Sequence, residues 1–262
     1  MKKVLLIGIN YVGSSSQLMG CINDVTNMYN FLNSKYDLDP NNVHILTDNT
    51  EEKPNKKNIL KELQWLASNN KPGDSLFLHY AGHGSHIHDF SNDEDDGRDE
   101  VLVPLDYRTA GLIVDDQLRK ILVEPLLNNV QLFCVFDCCH SGTMLDVRHK
   151  YEMINDSFVD SKNDKYANTL AKVTTISGCK DNQTSADTRE ENSETGKMQF
   201  QGALTCTLLK LMKAYDCNIS LKDLIVNLNI ELKNKGYKQR PVLCTGYKQD
   251  IKLPSLNLLS DH

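Results

Sequence analysis

The stretch Leu132-Phe133-Cys134-Val135-Phe136-Asp137-Cys138-Cys139-His140-Ser141-Gly142 constrains this chain more than any other. Its first half is a short apolar run with aromatic and β-branched residues, which predicts a strand buried on both faces. The hydrophobicity then stops at once, and a carboxylate, two thiols, an imidazole and a hydroxyl follow before a glycine. Open α/β sheets build active sites at the carboxyl edge of buried parallel strands that end in this way. A second stretch has the same construction: Ser75-Leu76-Phe77-Leu78-His79-Tyr80, then Ala81-Gly82-His83-Gly84-Ser85. If the two strands are neighbours, His83 and Cys139 meet at one edge. An imidazole beside a thiol lowers the thiol's pKa and can later protonate a leaving amine. A lone cysteine is more often a small buried hydrophobe, and it is the pairing of two such strand ends that favours catalysis. Gly82 and Gly84 would let a substrate backbone come close, and the N–H groups of Gly84 and Cys139 are candidate oxyanion donors.

The rest of the chain supplies the sheet around these strands. Val4–Ile9 predicts a first strand and Met19–Ser34 a helix with Val25, Met28, Tyr29 and Leu32 on its apolar stripe. Val43–Leu46 predicts a second strand. Pro54 suits the first turn of a helix carrying Ile59, Leu60, Leu63 and Leu66, and Pro72-Gly73-Asp74 turns the chain into the strand at Leu76. An acidic loop follows His83 and closes on a short strand, Val101-Leu102-Val103-Pro104, after which Asp115-Asp116 opens a helix bearing Leu118, Ile121 and Leu122. From Val147 to Lys172 charges, Asn and Ser dominate and periodicity vanishes, which predicts an exposed, mobile linker. A second mobile stretch is expected over 187–197. Val173–Ser177 and Val242–Thr245 are further strands, with helices at Ala203–Ala214 and Leu221–Lys233 between them, the latter capped by Ser220. β-α units of this kind predict a mainly parallel sheet of about six strands.

A chain of 262 residues, 40% hydrophobic and 24% charged, is long enough for one large α/β domain. A net charge of -6 argues against a nucleic-acid or acidic-membrane partner. The N-terminal apolar run is too short for a signal peptide. The eight cysteines are scattered, several within apolar runs, so reduced thiols and a cytoplasmic location are expected.

Tyr80-Ala81-Gly82-His83-Gly84 and Asp137-Cys138-Cys139-His140-Ser141-Gly142 resemble the two signature motifs of metacaspases, caspase-like cysteine peptidases. The similarity extends to Gly20-Cys21-Ile22-Asn23-Asp24 and to the run from Ile176 to Asp187, in family order. It implies a caspase-like three-layer α-β-α sandwich. Residues 1–146 would form a large-subunit region, 147–172 a linker open to self-cleavage, and 173–262 a small-subunit region, together one domain. It implies Cys139 as nucleophile and His83 as general acid/base. It also implies a primary specificity pocket lined by Cys21, Asp24, Ala81 and Asp137. Two carboxylates at the bottom of a cleft pair with a guanidinium or ammonium, so cleavage of protein substrates after Arg or Lys is expected. Self-cleavage is then expected after Arg148, Lys150, Lys162, Lys165 or Lys172. Cys138 reads as a packing thiol.

The resemblance further implies a calcium site at Asp99, Asp115, Asp116 and Asp146. Clustered carboxylates repel unless a hard cation sits among them, and oxygen-only ligands suit Ca²⁺. The acidic loop is no EF-hand, because aligning Gly97 with the loop glycine puts Asn92 first and Val103 last. Two departures from the family pattern stand out. Ala81 replaces the usual Ser before Gly-His-Gly, and the core is expected to lack a Pro-rich or zinc-finger prodomain. No nucleic acid or membrane partner is expected, and the protein is expected to be a monomer. Three other readings compete. His83, His86 and His88 with Cys139 could form a zinc cluster, but no Cys-x-x-Cys pair supports them. A caspase-fold module that is weakly active or inactive and acts through protein contacts would not need Cys139, His83, Asp24 and Asp137 all intact. An α/β-hydrolase lacks its Gly-x-Ser-x-Gly elbow here.

Overall fold

A computed structural model describes residues 1–88, 98–138, 142–178, 187–191 (backbone only), 198–253 and 258–259. In chain order the elements are β1 (Lys2–Gly8), α1 (Cys21–Tyr36), β2 (Val43–Thr47), α2 (Lys56–Ala67), β3 (Ser75–Ala81), β4 (Gly84–His88) and β5 (Arg98–Leu102). Next come α3 (Tyr107–Ala110), β6 (Ile113–Val114), α4 (Asp115–Leu122), β7 (Gln131–Asp137), β8 (His149–Ile154), β9 (Ser157–Lys162) and β10 (Lys172–Ser177). The chain continues through β11 (Asp187–Glu191), β12 (Met198–Gly202), α5 (Ala203–Ala214), α6 (Leu221–Asn234) and β13 (Val242–Thr245).

The central sheet runs β2-β1-β3-β7-β10-β13-β8-β9. Pairing is parallel from β2 to β10 and antiparallel from β10 to β9. The side-chain alternation of a strand puts Leu5 and Ile7 on one face and Val4 and Leu6 on the other. The first pair packs with Ile59, Leu63 and Leu66 of α2 and Leu118 and Leu122 of α4. The second pair packs with Val25 and Met28 of α1, Leu204 and Leu208 of α5, and Leu224 and Leu228 of α6. The fold is a three-layer α-β-α sandwich, and the double burial of each central strand explains its unbroken apolar run.

Several expectations need correction. Among the described residues the sheet has eight strands rather than about six, and the two extra come from the stretch expected to be an unstructured linker, where β8 and β9 form a hairpin. The strand that β8 pairs with in the sheet, β13, lies far along the chain, so local sequence carries no sign of it. Within 187–197, β11 pairs antiparallel with β12, while 192–197 lie outside the described residues. Pro54 precedes α2 rather than opening it, because Asn55 takes the N-cap and accepts from the Asn58 N–H. The short strand after the acidic loop begins at Arg98 rather than Val101, and it pairs with β4 and β6 in a separate three-stranded sheet. Ser220 caps α6 as expected, accepting from the Asp223 N–H at 3.0 Å. Among the described residues no helix is long and apolar enough to cross a membrane.

Candidate active site

The catalytic end of the sheet is set by register. β3 and β7 pair in parallel, and their last rung is Ala81 opposite Asp137. His83 lies two residues past that rung on one strand. On the other, Cys138 follows Asp137 and is fully buried in the core beside α2 and α4, as a packing thiol would be. Cys139, the expected nucleophile, lies outside the described residues, as does most of the motif after Gly178.

Two phenols fix the His83 backbone. The His83 N–H donates to Tyr11 Oη at 3.0 Å, and Tyr11 Oη in turn donates to the Val103 carbonyl at 2.6 Å. Tyr80 Oη donates to the His83 carbonyl at 2.9 Å. Burial pushes both phenols far above the usual tyrosine range, so they remain neutral donors. Gly82 makes this packing possible, since a Cβ there would sit 2.9 Å from Tyr80 Oη and 3.2 Å from Tyr11 Oη. The ring of His83 lies 4.7 Å from that of Tyr11, and its Nε2 is 2.7 Å from the Ser16 carbonyl. A carbonyl only accepts, so Nε2 carries the proton and Nδ1 keeps its lone pair. The loop after β1 thereby selects the imidazole tautomer, with Nδ1 as the basic nitrogen. Gly84, a candidate oxyanion donor, begins β4 opposite Leu102.

The expected specificity residues converge. Cys21 opens α1, and Asp24 lies one turn further along it; both are buried. Ala81 and Asp137 share the last β3–β7 rung. Both carboxylates reach the start of α5. The Gly202 N–H donates to both Asp24 oxygens at 2.8 and 2.9 Å, while the Thr205 N–H and hydroxyl donate to Asp137 Oδ2 at 2.9 and 2.8 Å. Helix N-termini stabilise negative charge. Gly202 sits so close that a Cβ there would lie 2.2 Å from Asp137 Oδ2 and 2.8 Å from Asp24 Oδ2.

The expected metal residues do not all come together. Among the described residues Glu100, Asp115 and Asp146 form a buried group in which one ligand oxygen from each lies within 4.8 Å of the others. Asp99 is buried next to it on β5, whereas Asp116 is exposed on the first turn of α4. Glu100 is a residue that sequence reasoning missed. Starting the strand at Val101 hid the alternation that turns residues 99 and 100 to opposite sides. Asp115 accepts from the N–H groups of Glu100 at 2.6 Å and Asp116 at 2.8 Å. Burial nevertheless pushes its carboxyl up to about 7. The Thr143 hydroxyl reaches Glu100 at 2.6 Å, and the Arg119 guanidinium donates to the Asp146 carbonyl. Three buried carboxylates, one of them reluctant to ionise, suit a hard cation bound through oxygen.

The basic residues of the linker are unequal. Lys150 and Lys162 lie inside the β8–β9 hairpin and Lys172 begins β10. Arg148 is held by the Tyr166 carbonyl at 2.7 Å and Asp164 at 2.6 Å. Lys165 stands exposed in the turn after β9.

Comparison with known proteins decides the family. The model for the metacaspase, peptidase C14 domain matches residues 2–148. The chain belongs to the metacaspases. A metacaspase-1B of Aspergillus niger is 40% identical over 92% of this chain and 64% of its own length. A second, of Aspergillus fumigatus, is 37% identical over 96% of this chain and 71% of its own. Metacaspase-1 of Saccharomyces cerevisiae is 35% identical, with 96% and 68% covered. The chain thus spans about two thirds of the length of these relatives. A crystal structure of a Geobacter sulfurreducens protein aligns with TM-score 0.67 at 22% identity, covering 98% of both chains, and so supports the fold alone. For this metacaspase the α-β-α sandwich is the caspase-like fold, and membership implies cysteine peptidase chemistry on protein substrates.

Proposed function

We propose that this metacaspase is a cysteine endopeptidase that cleaves after Arg or Lys, is activated by calcium and processes itself. One observation carries the specificity: Asp24 and Asp137, from different elements, converge on Gly202 at the sheet end that also bears His83. Such a pair offers a guanidinium or ammonium a rigid, doubly anionic partner and repels acidic side chains. In the chemistry, the Cys139 thiol gives its proton to His83 Nδ1 and the thiolate attacks the scissile carbonyl. The imidazolium then protonates the leaving amine, and water hydrolyses the thioester with His83 as base.

Calcium binding through Glu100, Asp115 and Asp146 is supported by their mutual distances and burial. Its link to catalysis follows the chain. β5 pairs with β4, which begins directly after His83, and the Thr143 hydroxyl ties the segment following β7 to Glu100. A cation that tightens this group would draw together the segments leaving both central strands. Self-processing is expected after Lys165, because a peptidase cleft takes an extended, detachable segment and the ladder-bonded strands do not offer one.

The deciding experiment is hydrolysis of peptides that differ only in Arg, Lys or Asp before the scissile bond. Wild type, Cys138→Ala and Cys139→Ala protein would be compared with Ca²⁺ and in chelator. The expected result is cleavage after Arg and Lys by wild type and Cys138→Ala with Ca²⁺, and none by Cys139→Ala. Cleavage after Asp, or equal loss in both cysteine variants, would overturn the reading.

A further inference from the structure

His79 lies in the middle of β3, wholly buried, on the sheet face that packs against α1 and α5. Its ladder partners are Leu6 and Val135, and Phe77 precedes it on the same face. An apolar side chain would fill such a position without loss. The imidazole instead leaves Nδ1 buried with no hydrogen-bond partner among the described residues, an arrangement that costs free energy. Burial pulls the ring's pKa down to about 3, so it is neutral and carries one proton.

Among the described residues that proton meets one acceptor. His79 Nε2 lies 3.0 Å from Thr205 Oγ1, and Thr205 Oγ1 lies 2.8 Å from Asp137 Oδ2. An ionised carboxylate only accepts, so the Thr205 hydroxyl donates to Asp137 and takes the His79 Nε2–H on its own lone pair. The three groups form a directed chain from the interior of the sheet to the specificity carboxylate.

We propose that His79 and Thr205 are positioning residues that lock the Asp137 carboxylate in the orientation from which it recognises the basic side chain of the substrate. This rests on the Arg/Lys reading of the Asp24–Asp137 pocket. It adds a consequence that the pocket's charge alone does not give. A planar guanidinium needs an oriented carboxylate for paired hydrogen bonds, while an ammonium is a point charge that tolerates rotation. Loosening Asp137 therefore harms Arg substrates more than Lys substrates.

The test compares His79→Leu, His79→Gln, Thr205→Val, Thr205→Ser and the His79→Leu/Thr205→Val double variant on matched Arg and Lys peptides, at saturating Ca²⁺. His79→Leu and Thr205→Val should each raise KM for the Arg peptide about tenfold with kcat within about twofold, and lower the Arg-to-Lys ratio of kcat/KM several-fold. Thr205→Ser and His79→Gln, which keep a hydroxyl and an N–H donor, should restore most of the ratio. The double variant should be no worse than Thr205→Val alone, as expected of groups in one chain. Alkylation of Cys139 by iodoacetamide, which does not use the pocket, should keep its wild-type rate. Equal loss on Arg and Lys, loss in kcat alone, or additive effects would overturn the proposal. If His79→Leu fails to fold, Thr205→Val against Thr205→Ser and His79→Gln decides the matter. A wild type indifferent to the residue before the bond would overturn the pocket and the relay together, while an Arg-preferring wild type with unchanged variants overturns the relay alone.

Discussion

Asp24 and Asp137 meet the N–H groups of Gly202 and Thr205 and the Thr205 hydroxyl, whereas Glu100, Asp115 and Asp146 crowd within 4.8 Å of one another with a carboxyl pushed up to about 7 among them. Both groups are buried and both are acidic. In the first, two charges lie at the N-terminus of a twelve-residue helix. In the second, Asp115 accepts from two N–H groups and Glu100 from a hydroxyl, and burial still pushes the Asp115 carboxyl up. The protein's own donors go far toward compensating the first group, which is left to recognise a cation carried by the substrate. In the second, the crowding of three buried carboxylates and the raised Asp115 carboxyl suit a resident cation.

The sharpest way to break this contrast is Gly202→Ala. The added Cβ would push into Asp137 Oδ2 and Asp24 Oδ2, and misplacement of this size should cost on the order of 100-fold in kcat/KM on Arg peptides. The calcium response of the residual activity should be unchanged, because the acidic group is built from other elements. Equal damage to both functions in a peptide assay would mean that the groups are not independent.

Chelation comes next. Excess chelator should reduce turnover at least about tenfold, with recovery on added Ca²⁺ and poor recovery with Mg²⁺, which demands a tight octahedron and holds its waters. Undiminished turnover in chelator would remove the calcium switch and leave the peptidase standing. Glu100→Gln should then raise the Ca²⁺ concentration for half-activation about tenfold, equivalent to ~1.4 kcal/mol. Asp116→Ala, at an exposed position, should shift it by about twofold or less, as surface changes do. A shift as large as that of Glu100→Gln would place the ion on the outer side of the first turn of α4.

The last prediction concerns acid. His79 has a folded pKa near 3 against an ordinary 6.5. Between those values the unfolded chain binds a proton that the native chain refuses, so stability falls as pH falls from about 6.5 toward 3. His79→Leu should flatten that part of a melting-temperature profile measured in chelator. An unchanged profile would mean that the ring is protonated in the native state.

β1, β3 and β7 were legible in the sequence because they are buried on both faces and read as nearly continuous apolar runs. His83 and the Asp24–Asp137 pair were legible through their motifs. What escaped depends on partners distant in sequence. β8 and β9 carry charged residues, and β8 finds its place through β13, with β9 beside it. Thr205 looks like an ordinary helix residue until His79, 126 positions away, is set beside it. Glu100 was hidden by a strand whose start was read three residues late. Ser16 contributes a main-chain oxygen to His83, and a main-chain contact leaves no residue-type signature.

The β8–β9 hairpin bears on what a cut after Lys165 could do. The stretch before the cut is stitched to β13, which comes after it, through the rungs Leu243–Tyr151, Cys244–Lys150 and Thr245–His149, while β10 on the far side is stitched back to β7. The later fragment would hold β10 and β13, set between β7 and β8 of the earlier one. Severing the chain there would change its connectivity without changing its mass in solution, and the fragments should co-elute on a sizing column and part only in denaturant. Maturation of this kind is a covalent memory of past activation, written into a particle that stays whole.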